Sequence, residues 1–158
     1  MTTSGAAIVR RNAWSLGVLA TVFGAVIIGC HIESGGQRWS AATWAYALEV
    51  PGSPATWGAM ALAAGLFIVF GCWREHRRAR LVGLWLGAAW FCGLAGAALL
   101  AFADDLCDDT INTVNPMSIV AWLAFASMYV LQVRDENGLS TGLGARLKGR
   151  MKSTGRDA

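Results

Sequence analysis

The chain has 158 residues, 13 Lys and Arg against 10 Asp and Glu, and 55% hydrophobic residues. Charged residues make up 15% of it, well below the roughly 25% of soluble domains, and the four stretches 12–32, 50–73, 81–103 and 110–133 contain none. Since a bilayer core takes about 20 apolar residues per helix, this excludes a soluble globular domain, a nucleic-acid-binding module and a disordered tail protein, and leaves a small polytopic all-α membrane protein.

The first span is expected over 13–30, behind the basic pair Arg10-Arg11. A secretory signal begins in the same way, and Ile27-Ile28-Gly29-Cys30 resembles a lipobox, whose cleavage would leave Cys30 as a lipidated N-terminus. A retained span is the simpler reading. Within the long loop that follows, Ala41, Trp44, Ala45 and Leu48 fall at helical spacing. They predict a short helix that either lies on the outer leaflet or covers the mouth of the bundle. Pro51 and Pro54 then precede a second span over 55–73, because proline suits a first helical turn but not a helix interior. A basic turn follows, and its Arg74, Arg77, Arg78 and Arg80 are candidate contacts for anionic lipid headgroups.

The third span is expected over 81–102. After it come Asp104, Asp105, Asp108 and Asp109, which read either as oxygen ligands for a divalent cation or, more simply, as a solvated acidic loop. The fourth span is expected over 116–133, with Asn115 as its N-cap and Pro116 at its first helical position. The four spans make up one transmembrane domain, 1–133. The remainder, 134–158, is rich in glycine and basic residues, and its glycines disfavour a helix. It reads as a flexible basic cytoplasmic tail, although Leu139, Leu143, Leu147 and Met151 at four-residue spacing would also suit a weak amphipathic helix.

Orientation follows from the basic residues, which concentrate on the cytoplasmic side. Twelve of the 13 Lys and Arg fall on one side of the four spans, and only Arg38 on the other. Glu33, Glu49 and the four aspartates lie opposite the basic side. The expected fold is therefore a four-helix transmembrane bundle in the cytoplasmic membrane with both termini cytoplasmic (N-in/C-in). Trp14 and Trp73 at one level, and Trp39, Trp44 and Trp57 at the other, match the interfacial preference of indole rings.

Helices in lipid associate by close packing, which small residues allow. Gly83, Gly87 and Gly93 on the third span, with Ala20/Gly24 and Ala25/Gly29 on the first and Ala61/Gly65 on the second, are the candidate packing positions. They serve either one chain or a homo-oligomer. The fourth span is poor in glycine and is expected at the periphery. No Asp, Glu, Lys, Arg or His lies inside a predicted span, which argues against a proton-coupled transporter, a pump or a voltage sensor. Thr21, Thr56, Ser118, Ser127 and Gln132 are expected to satisfy local backbone carbonyls. Cys72 is placed near the inner face and Cys92 inside the third helix. Cys30 and Cys107, both at the outer ends of spans, are candidate partners for a disulfide in an oxidising exterior.

The chain has no C-x-x-C pair, no zinc-spaced Cys/His set, no supported Ser/His/Asp arrangement and no glycine-rich phosphate loop. The expectation is a protein without catalytic residues, metal or cofactor. Its partners are the lipid bilayer, a protein of unknown identity and a candidate second copy, but not nucleic acid. Arginine outnumbers lysine 11 to 2, a usage associated with GC-rich actinobacterial genomes and their phages. The stretch 44–58, with Val50-Pro51-Gly52 and Thr56-Trp57-Gly58 at the mouth of the second span, resembles small four-span membrane proteins of actinobacteriophages, some of them holin-like. Two functions are expected, the second of them implied by the resemblance. One is an accessory membrane protein that binds a partner or excludes other phages. The other is a holin-like protein that oligomerises and permeabilises the membrane during lysis.

Overall fold

A computed structural model of the chain describes residues 3–34, 45–107 and 115–154, with side chains over 6–34, 46–107 and 115–138. Every regular element in them is helical: α1 (Thr3–Ser34), α2 (Ala45–Leu48), α3 (Ala55–Trp73), α4 (Arg77–Cys107) and α5 (Pro116–Thr154). Four segments, Ala6–Ser34, Ala55–Trp73, Arg77–Cys107 and Pro116–Gly138, are long and apolar enough to cross a membrane. That is the make-up of a multi-pass membrane protein.

Two helices start where local chemistry places them. Asn115 Oδ1 accepts the Met117 backbone N–H at 2.9 Å, so one orphan donor of the first turn of α5 is satisfied and Pro116 occupies the position that needs none. α3 begins directly after Pro54 and ends at Trp73. There the Arg74 N–H still donates to Phe70 O at 2.8 Å, and Glu75 follows at φ 57°, a left-handed stop that glycine usually fills.

The other boundaries correct the expectation. α1 begins at Thr3 rather than 13, and α4 overruns 81–102 at both ends. α5 continues past Val133 to Thr154, so the backbone over 134–154 is helical rather than a flexible tail. Charged residues mark the edge of the hydrocarbon, but they do not break a hydrogen-bonded helix. The first residues beyond the fourth span are also fastened, Glu136 by Arg80 and Asn137 by Arg77. Residues 155–158 lie outside the described residues.

Each long helix packs mainly on the next, α1 on α3, α3 on α4 and α4 on α5. Small residues let the backbones meet. A methyl group on Gly24 would come within 2.6 Å of Gly58 O, and one on Gly65 within 2.6 Å of Gly17 O, so α1 and α3 cross in direct backbone contact. All three glycines singled out on α4 face the chain's own helices: Gly83 against Ala64 O, Gly87 under the Tyr129 ring and Gly93 against the Trp57 ring. Gly29 and Gly96 have nothing within 4 Å. The largest fully buried side chains are Trp90, Tyr129, Phe91, Ile68 and Leu84. Phe91 is the hub of their aromatic cluster, 4.5 Å from Trp90 and 5.1 Å from Phe125 between ring centroids.

Lipid-facing surfaces are just as apolar. Val18, Val22 and Val26 on α1, Leu66, Phe67 and Phe70 on α3, and Val120, Leu123 and Leu131 on α5 are all exposed. Cys92, expected inside the bundle, is exposed as well. It shares a face with Trp85 and Leu99 at seven-residue spacing, turned away from the face that buries Leu94. Of the four span segments, that of α5 is the least buried, in keeping with its low glycine content.

Candidate functional site at the basic end of the bundle

Four of the five polar span residues do what the sequence suggests. Thr21 donates to Gly17 O at 2.9 Å, Thr56 to Pro51 O at 2.8 Å, Ser118 to Asn115 O at 2.7 Å and Ser127 to Leu123 O at 2.8 Å. Gln132 does not. Its Nε2 crosses to α1 and donates to Val9 O at 2.8 Å. One turn earlier on α5, the buried Tyr129 hydroxyl donates to Leu16 O at 3.1 Å. These two bonds close the bundle by joining its last helix to its first.

The main polar cluster lies where α1, the α3–α4 turn and the base of α5 converge. Arg80 is its centre. Its Nε and NH2 groups donate to the two Glu136 carboxylate oxygens at 2.9 and 3.0 Å, and NH1 donates to Gly71 O at 3.0 Å. The fork geometry suits a bidentate carboxylate. Both side chains are nearly out of solvent, at 12% and 5% exposure. Each charge there depends on the other, because an unpaired buried charge is costly. Around this pair, Arg77 donates to Asn137 Oδ1 at 2.6 Å and Arg10 pairs with Glu75 at 2.6 Å.

The four arginines proposed for lipid headgroups therefore have different surroundings. Arg80 is corrected: it is an internal brace, held by Glu136 and a helix carbonyl. Arg77 is tied to α5. Arg74 lies over the Trp73 ring, 5.1 Å from its centroid, and Arg78 is exposed. Glu136 was not singled out from the sequence, since an acid next to Arg134 on a basic flank looks like ordinary surface. The one available signal was Asp135-Glu136 directly after an apolar span, on a side otherwise dominated by arginine.

At the opposite end α2 covers the bundle mouth. It packs on α4, Trp57 Nε1 donates to Ala47 O at 2.7 Å, and Ser53 donates to the same carbonyl at 2.9 Å. The Tyr46 hydroxyl donates to the Asp104 carboxylate, an interaction that raises the phenol above its ordinary value of 10.0. Trp39, Trp44, Asp108 and Asp109 lie outside the described residues. Among the described residues, no three His, Cys, Asp or Glu side chains gather as a metal site. Cys30 and Cys107 are not joined by a disulfide; the main neighbour of α1 is α3, not the α4 that ends in Cys107.

No family model, curated protein or solved structure matches the chain.

Proposed function

We propose that the chain is a small non-enzymatic accessory protein of the cytoplasmic membrane, with both termini cytoplasmic, which acts by binding a protein partner rather than by opening the membrane. The observation that carries this reading is where its sticky surfaces point. The packing glycines Gly24, Gly65, Gly83, Gly87 and Gly93 face the chain's own helices, and Gln132, Tyr129, Arg80 and Glu136 are bonded within it. A pore needs a polar face, and lateral assembly in lipid uses small-residue faces. Here the polar residues and five of the six candidate packing glycines are engaged inside one bundle, and Gly29 faces outward.

Orientation rests on the basic residues. Arg10, the arginines of the α3–α4 turn and Arg134 sit at one end, which the Arg10–Glu75 and Arg80–Glu136 pairs hold together. That end is expected on the cytoplasmic side. A phage or actinobacterial origin, and a role in excluding other phages, rest on arginine usage and on the stretch 44–58.

The test is induced expression in an actinobacterial host while growth and a membrane-potential dye are followed. At confirmed membrane levels the potential should hold and growth continue. Abrupt depolarisation after a delay would favour holin-like permeabilisation and overturn the proposal.

A further inference from the structure

Between α1 and the α3–α4 turn the basic end carries an open depression of about 400 Å³, lined by Arg10, Arg11, Trp14, Cys72, Trp73 and Glu75 among others. We propose that this depression binds the headgroup phosphate of an anionic phospholipid, with Arg11 as its main contact. The inference goes beyond the accessory role and stands independently of it.

Charge is the first argument. The Glu75 carboxylate would repel an anion, but Arg10 holds it at 2.6 Å, so that pair is neutral as seen by a ligand. Arg11 has no carboxylate partner among the described residues. Arg10 and Arg11 against Glu75 leave one positive charge over in the lining. The depression therefore carries net positive charge, which an anionic headgroup matches and a zwitterionic one does not.

The second argument is position. Trp14 is 44% exposed and Trp73 is 72% exposed, and exposed indoles at helix ends settle at headgroup depth. From Trp14 an apolar ridge descends α1 through Val18 and Val22, both exposed at successive four-residue steps. An acyl chain can lie along that ridge while its phosphate meets Arg11. A free phosphate would match the charge but leave the ridge unused, so lipid is the occupant the geometry points to.

The test uses the full-length protein in mild detergent, titrated with phosphatidylglycerol or phosphatidylcholine and read by native mass spectrometry. Phosphatidylglycerol should be retained in preference, and Arg11→Gln should weaken it about fivefold. Arg134→Gln, an exposed arginine of α5 outside the depression, should leave retention unchanged, and both variants should melt as the parent does. Equal losses in the two variants would mean diffuse surface attraction and would overturn the site. Displacement of the lipid by glycerol phosphate at equal concentration would make it a soluble-phosphate site and overturn the lipid assignment. Equal retention of the two lipids would overturn the charge argument.

Discussion

Replacing three glycines of α4 with alanine, one at a time, separates packing from helix propensity. A methyl group at Gly87 would lie 2.6 Å from Tyr129 Cδ1. That ring is fully buried, and its hydroxyl is fixed to Leu16 O at 3.1 Å, so it cannot swing aside and α4 must move away from α5. Overpacking of this kind costs about 1–3 kcal/mol. Alanine returns about 1 kcal/mol of helix propensity, for a net loss of about 0–2 kcal/mol. At Gly93 the nearest atoms are Trp57 ring carbons at 3.0 and 3.1 Å, a milder crowding than at Gly87 against a half-buried side chain held by its bond to Ala47 O, so the two terms nearly cancel. At Gly96 nothing lies within 4 Å, so alanine should stabilise by up to about 1 kcal/mol. Thermal unfolding in mild detergent, followed by near-UV circular dichroism, should rank Gly96→Ala above the parent, Gly93→Ala beside it and Gly87→Ala below it by a few degrees. Equal losses for Gly87→Ala and Gly96→Ala would refute the α4–α5 contact on which the reasoning stands.

Removing one partner of the Arg80–Glu136 pair should destabilise by about 3 kcal/mol or more, because the other charge is stranded. Arg80→Ala combined with Glu136→Ala should lose much less than the sum of the two single variants in the same melt. Glu75→Gly should leave stability unchanged or slightly raised, since glycine relieves the left-handed backbone by about 1 kcal/mol while the exposed Arg10 pair it removes contributes about 0–1 kcal/mol; a large loss would show the pair to be structural. An alkaline phosphatase fusion after Asp109 should be active and one after Arg80 inactive, and the reverse pattern would invert the topology.

Charge gaps and helix signals made much of the fold legible. The four spans, the start of α3 after Pro54 and the Asn115 cap all follow from residues whose local chemistry decides the matter. The rotation of each helix was not legible. In lipid the buried and exposed faces of a span are both apolar, so Cys92 on the outside and Phe91 on the inside carry no distinguishing signal. Gln132 and Tyr129 were hidden for the same reason: a polar group on a span shows its cost but not its partner. Arg80 read as one of four equivalent surface charges because its partner, Glu136, lies on another helix more than fifty residues away. The length of α5 was obscured by the glycines after Gly138, which lower helix propensity without ending the helix.

The central claim is that Gly24, Gly65, Gly83, Gly87 and Gly93 and the polar side chains of the spans are engaged within a single chain. Its most direct test is to extract the fluorescently labelled protein from membranes into native nanodiscs with its own lipids and count photobleaching steps per particle. Single-step bleaching in most particles is the predicted result. A dominant multi-step population that Gly83→Ile or Gly87→Ile converts to single steps would place those glycines between chains and contradict the account.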